Sequence, residues 1–237
     1  QHRFLYASIE PIALQLDTFF KRLFSDESVA ITGAFRRQCD IIDELEFVIL
    51  APLEDIIEAI GGNPNFKLDQ EEDDALHFTF QETIQVIIYP CDEETQMQLL
   101  FFTSGTQQFN DAFDEQYPTI DYQLDASLNE ESIFEQAGIP FIHPCLRGNS
   151  RSIELAASNS LPSLIQPSEI KGIIHNHSTW SDGANSIEEM ANACIDKGFE
   201  YLVMSDHSVT SIYANGLSVE RILKQQEEID QLNDKLK

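Results

Sequence analysis

Basic residues are scarce in this chain. It carries 14 Lys and Arg against 41 Asp and Glu, a formal net charge of -27, and Lys67 is the only Lys or Arg between Arg37 and Arg147. Nucleic-acid binding draws most of its affinity from Lys and Arg that neutralise phosphates, so this stretch is expected to repel a duplex, and weak or no DNA binding is predicted. Acidity that served solubility alone would explain the sign of the charge but not this gap. Long apolar runs are missing as well, and the opening QHRFLYASIE lacks the basic-then-apolar order of a signal peptide. Neither a membrane span nor export is indicated, and a cytoplasmic location is expected. Cysteine pairs are absent too: Cys39, Cys91, Cys145 and Cys194 stand apart with no C-x-x-C, which reads as reduced thiols in buried or half-buried positions.

What the chain does have is a histidine cluster. At 237 residues with 42% hydrophobic content it is long enough for one large or two ordinary folded domains. Near the C-terminus, His175-Asn176-His177 is followed by Ser181-Asp182-Gly183 and later by Ser205-Asp206-His207. Lys171 to His177 reads as a strand, which would turn His175 and His177 to one face. Ser186 to Lys197 has a helical apolar period and Gly198 stops it; Glu200 to Ser205 reads as a second strand. Parallel strands joined by a helical crossover put their C-terminal ends on one rim, so three imidazoles and a carboxylate are expected to converge there. Mixed nitrogen and oxygen ligation suits Zn, Mn or Fe, and the residues do not choose among them.

The segment GIIHNHSTWSDGANSIEEMANACIDKGFEYLVMSDHS resembles the opening of a polymerase and histidinol phosphatase (PHP) domain, especially that of bacterial family X DNA polymerases. The resemblance implies that His175, His177, Asp182 and His207 are ligands of a divalent metal in a phosphoesterase site, with Asp206 orienting His207 or a water. Ile173 departs from the Asp that often opens this motif. Earlier in the chain, ITGAFRRQCDIIDELEFVIL is similar to the palm motif of family X polymerases, LLFFTSGTQQFN to their Y-F-T-G-S-x-x-H-N, and ESIFEQAGIPFIHPCLRG to their thumb segment. By position, Gly33, Arg36 and Asn110 would be nucleotide-binding residues, although structural roles are expected for Arg36, paired with Asp40, Asp43 or Glu44, and for Asn110.

The departures fall on the chemistry. Glu44 and Glu46 lie at i and i+2 of a strand; taken alone, that pattern is better explained by an exposed strand face than by a two-cation site. In the resemblance they replace the two metal-binding aspartates, and Gln85 replaces the third. Ala34 stands for a triphosphate-holding serine, and Ser104-Gly105 inverts the usual order. A Glu is one methylene longer than Asp and overreaches a cage built for Mg²⁺, so Mg²⁺ is expected only if the palm is active, and nucleotidyl transfer is expected to be lost.

The expected fold is α/β: a nucleotidyltransferase-like palm over residues 1–100, a thumb-like subdomain over 101–150, a linker over 151–170 rich in Ser and Pro, and the first βα units of a distorted (β/α)₇ PHP barrel over 171–237. The further ligands such a barrel implies do not follow Gly216, so the segment is read as the first part of a longer domain. Metal-dependent hydrolysis of a phosphoester or nucleotide substrate by the complete domain is the leading expectation. A non-catalytic nucleotide-sensing module and an active gap-filling repair polymerase are the rivals.

Overall fold

The computed structural model describes residues 2–123 and 129–236. The fold is mixed α/β, and the chain forms two compact units, Gln1–Pro162 and Ser163–Lys237.

In the first unit, a short strand β1 (Phe4–Leu5) leads into helix α1 (Tyr6–Phe24). Ile9, Ala13, Leu16 and Phe20 recur along one side of α1 and are buried, the stripe that makes this sequence a core-facing helix. Strand β2 (Val29–Thr32) follows, then a single helical turn α2 (Gly33–Arg36), a short strand β3 (Ile41–Ile42) that pairs with β1, strand β4 (Glu44–Leu50), and helix α3 (Leu53–Gly61). Strands β5 (Phe66–Glu71), β6 (Leu76–Phe80) and β7 (Ile84–Cys91) complete a five-stranded sheet of order β2-β4-β7-β6-β5. The β4/β7 pairing is parallel and the other three are antiparallel. Leu45, Phe47 and Ile49 of β4 join α1 and α3 in the core, so the period of two sends Glu44 and Glu46 to the opposite face. Edge strand β5 is exposed beyond Phe66 and its Lys67, Asp69 and Glu71 discourage further strand pairing.

A second core in the same unit gathers Phe101, Phe109, Phe113, Ile133, Phe134, Ile142, Ile153 and Ala156. It is built by helices α4 (Gln96–Ser104), α5 (Gln107–Gln116), α6 (Glu131–Gln136) and α7 (Arg151–Ala157). Two expectations are corrected here. The boundary expected after residue 100 falls inside α4, and the first seven residues of the expected 151–170 linker are α7, because Ile153 and Ala156 lie three apart on one helical face and are buried. Arg147 is fully buried in this core. Its guanidinium stands 5.5, 4.9 and 5.2 Å from the rings of Phe101, Phe134 and Phe141, donates to the Ile142 carbonyl at 2.7 Å and pairs with Glu130 at 2.5 Å.

The second unit is a βαβ arrangement. Strand β8 (Gly172–Asn176) pairs in parallel with β9 (Tyr201–Met204), and helix α8 (Ile187–Asp196) connects them. Ser186 caps α8, accepting from Glu189 N while the Glu189 carboxylate accepts from Ser186 N, the reciprocal pairing that fixes a helix start. The long helix α9 (Val219–Lys235) closes the unit. Among the described residues, no helix is long and apolar enough to cross a membrane.

Candidate functional site

In the second unit the donor atoms of His177, Asp182 and His207 lie within 4.8 Å of one another. Asp182 is the hinge of the group: Oδ1 is 3.2 Å from His177 Nδ1 and Oδ2 is 3.6 Å from His207 Nε2. The two imidazole centroids are 4.4 Å apart. His177 Nδ1 is buried and takes part in no hydrogen bond, with the Asp182 carboxylate 3.2 Å away.

His175 stands differently from the expectation. The β8/β9 register shifts between Ile173 and Asn176, and His175 has a left-handed φ of 59°. The period of two that would align His175 with His177 is therefore broken. His175 is exposed and its ring centroid lies 5.9 Å from that of His177, outside the group of three. The loop from His177 to Gly183 is tight: a Cβ on Gly183 would stand 1.9 Å from the His177 carbonyl oxygen, so only glycine permits this close approach.

Asp206 is also corrected. Its Oδ1 accepts from Ser178 N at 2.7 Å and Ser181 Oγ at 2.5 Å, and its Oδ2 from Ser178 Oγ at 2.7 Å and Gln225 Nε2 at 2.6 Å. Four donors fill both oxygens, so this carboxylate neither orients His207 nor holds a water. It pegs the 178–181 loop to α9. Burial pulls the Asp206 pKa up, yet the bonds from Ser181, Ser178 and Gln225 outweigh it and hold the pKa below the ordinary value. The same loop is tied to α9 by Trp180 Nε1, which donates to Glu228 at 2.8 Å, and by Arg221, which donates to the Trp180 carbonyl. Ser178, Ser181 and Gln225 escaped sequence reasoning; the one signal was an Asp beside a ligand-type His, which calls for donors from somewhere in the fold.

In the first unit, Glu44 and Glu46 do share one sheet face, and Gln85 is the register partner of Glu44. They do not assemble as a cage. The Glu46 carboxylate folds onto the Gly33 turn: Oε1 accepts from Ala34 N at 3.3 Å, Oε2 accepts from the Tyr89 hydroxyl at 2.9 Å, and a Cβ on Gly33 would stand 1.7 Å from Oε1. Gly33 has a φ of 66°, a second reason for glycine there. Burial raises the Glu46 pKa, the Tyr89 bond opposes this, and Glu44 adds to it. Gln85 Nε2 donates to Thr79 Oγ1 at 3.0 Å, and Thr79 in turn donates to Asp69 at 2.5 Å, a ladder across β7, β6 and β5.

Arg36 pairs with neither Asp40, Asp43 nor Glu44. It donates to both oxygens of Glu130 at 3.2 and 2.8 Å and to Ser104 Oγ at 2.5 Å. Glu130 thus receives Arg36 and Arg147 together; burial pushes its pKa up, but the two guanidiniums prevail and hold it low. Asn110 is buried, donates from Nδ2 to the Phe102 carbonyl at 2.8 Å, and leaves Oδ1 without a partner. With Arg37, Glu46, Tyr89, Thr103 and Thr106 it lines a cleft of about 530 Å³.

The chain has a PolX-like relative. It is 47% identical over 105 residues to the DNA polymerase/3'-5' exonuclease PolX of Bacillus subtilis (strain 168), an overlap that covers 44% of this chain and 18% of that protein. No family model matches the chain.

Proposed function

We propose that this chain belongs to a PolX-like protein in which His177, Asp182 and His207 begin a divalent-metal centre for phosphoester hydrolysis, within the first part of a PHP-type domain. The observation that carries this reading is the unbonded His177 Nδ1 beside Asp182. A buried imidazole nitrogen without a proton partner is costly unless a cation takes its lone pair. The spacing supports it: donors at about 2.0–2.2 Å from a tetrahedral ion lie about 3.4 Å apart, and the His177–Asp182 and His207–Asp182 separations of 3.2 and 3.6 Å bracket that value.

When bound, such an ion supplies Lewis acidity toward the phosphoryl group; Zn, Mn and Fe all suit the donor set. The chain's own contributions are separate. His177 and His207 present ring nitrogens, Asp182 offers one oxygen to each side, and Asp206 fixes the loop that carries Asp182. Exposed His175 flanks the group where an incoming phosphate could meet it.

The first unit is read as a nucleotidyltransferase-like palm with a thumb-like second core, and its polymerase chemistry as lost. Glu46 supports this, since its longer side chain spends both oxygens on Ala34 and Tyr89. A nucleotide-sensing role is a second reading, favoured by the unpartnered Asn110 Oδ1 at the cleft. Hydrolysis of bis-p-nitrophenyl phosphate with Mn²⁺, run beside dNTP incorporation on gapped DNA, tests both activities in the protein that carries this chain. Metal-stimulated hydrolysis without incorporation is expected; incorporation without hydrolysis would refute the proposal.

A further inference from the structure

The adjacent parallel strands β4 and β7 end side by side, Leu50 opposite Cys91, and the chain leaves them toward opposite faces of the sheet. From β4 it runs into α3, whose Ile56 and Ile60 join Leu45, Phe47 and Ile49 in the first core. From β7 it runs into α4, which lies on the Glu46 face: Thr32 is the register partner of Glu46, and its hydroxyl is 2.6 Å from that of Thr103. Two connections that part in this way leave a crevice at the carboxyl ends of their strands, the place where open α/β sheets take ligands. A cavity of about 520 Å³ lies there. It shares no lining residue with the cleft at Glu46 and Asn110, and Glu44 and Gln85 open the same two strands, about 20 Å away at the rise of a β-strand.

The cavity has an apolar floor and an acidic rim. Leu50, Pro52, Leu53 and Pro90 present hydrocarbon. The half-buried Cys91 thiol joins them: burial, with Asp92 adding to it, pushes its pKa up to about 12 and keeps it uncharged. Asp73 stands in the turn between β5 and β6, and Asp92 and Glu93 in the loop between β7 and α4, so carboxylates approach the floor from two separate segments. An anion, the usual guest at such a helix start, is disfavoured. The turn that leads into α4 already carries its own, since Asp92 Oδ1 accepts from Thr95 N at 2.9 Å and from Thr95 Oγ1 at 2.6 Å. No Lys or Arg lines the cavity, and Lys67, the one such residue between Arg37 and Arg147, is bonded to Asp69. We propose that this crevice binds a linear diamine or polyamine, its methylenes lying on the floor and an ammonium group reaching each acidic side.

Calorimetric titration of the protein that carries this chain with the diamines of propane, pentane and heptane varies the hydrocarbon at constant charge. Affinity should rise with length by up to about fourfold for each methylene buried. Mg²⁺, a dication without an apolar body, should not displace the heptane diamine. Asp73→Asn with Glu93→Gln should weaken binding about tenfold, the size of two exposed ion pairs, whereas the same change of charge at Glu227→Gln with Asp230→Asn should leave it unaltered. In amide NMR of the wild type, the signals of Ala51, Cys91 and Glu93 should shift together on titration. Equal affinity for the three diamines, displacement by Mg²⁺, or equal loss in the two double variants would overturn the proposal, since each reports attraction to the acidic surface at large. Absence of binding at millimolar diamine would overturn it as well, and inorganic phosphate that shifted the same amides would assign the crevice to an anion instead.

Discussion

The Tyr89 hydroxyl donates to Glu46 Oε2 at 2.9 Å while Ala34 N donates to Oε1 of the same carboxylate at 3.3 Å. The two strands β4 and β7 thereby hold an acidic side chain against the Gly33 turn, an internal anion placed where an aspartate would be too short to reach. On the reading proposed above, the extra methylene of Glu46 serves these two contacts rather than a metal.

Replacing Glu46 with Gln should stabilise the protein at neutral pH. Burial lifts the Glu46 pKa above its ordinary 4.5, so the folded state holds the proton more tightly than the unfolded one. The stabilisation from this group is complete below the unfolded pKa and is lost as pH rises through the folded pKa. Urea midpoints of wild type and Glu46→Gln, measured across that window, should diverge in favour of the variant as pH rises; parallel curves would show that Glu46 titrates normally.

Template-directed synthesis should be undetectable in the wild type. The triple change Glu44→Asp, Glu46→Asp and Gln85→Asp should not revive it, because it also dismantles the Ala34–Glu46–Tyr89 contacts and the Gln85–Thr79 link. Primer extension on gapped DNA is the measurement, and robust extension by the unmodified protein would contradict the lost-palm reading.

Substitutions in the second unit should rank by geometry. His177→Ala and His207→Ala should abolish Mn²⁺-stimulated hydrolysis, and His175→Ala should cost less, since its ring lies outside the group of three. Asp206→Asn, which acts only through the loop, should lower metal affinity by roughly 10- to 100-fold, as loss of an outer support does. Titration of Mn²⁺ by electron paramagnetic resonance separates these cases, and equal losses for His175→Ala and His177→Ala would restore the symmetric H-x-H site.

The buried Glu130–Arg147 pair should couple strongly. Arg147→Met or Glu130→Gln alone is expected to cost about 3–5 kcal/mol, because each leaves the other charge buried and poorly paired. The double variant should cost less than the sum, read from urea denaturation as a double-mutant cycle. Additive losses would mean that the pair contributes nothing beyond its separate packing.

Binding to gapped duplex should be weak at low salt, outside even the range of about 10⁻⁴ to 10⁻⁶ M usual for non-specific binding near physiological salt. Fluorescence anisotropy reads it. Submicromolar affinity with a steep salt slope would reveal a basic patch built by distant arginines.

Much of the local structure was legible. The placing of Glu44 and Glu46 on one strand face and the stop of α8 at Gly198 are determined by neighbours a few residues away. Of the four residues expected to converge on a βαβ rim, His177, Asp182 and His207 lie together and His175 stands outside the group. What escaped depends on distance or on a single dihedral. One left-handed φ at His175 undid an i, i+2 argument. The partners of Asp206 come from Ser178, Ser181 and Gln225, and that of Arg36 from Glu130, none of which sequence spacing relates. Helix α7 hid in a Ser-rich stretch because two apolar residues suffice once a phenylalanine core is waiting for them.

Arg147 lies among three phenylalanines, and Arg36 beside it is spent on the same Glu130. A protein with few cations has thus turned two of them inward. Seen from solution, the field around it is more uniformly negative than its residue counts imply, and two copies that approach one another do so against a repulsion with few attractive openings. That repulsion reaches only about 10 Å at 0.1 M salt and about 3 Å at 1 M. Light scattering should accordingly show repulsion between copies that weakens as salt is raised.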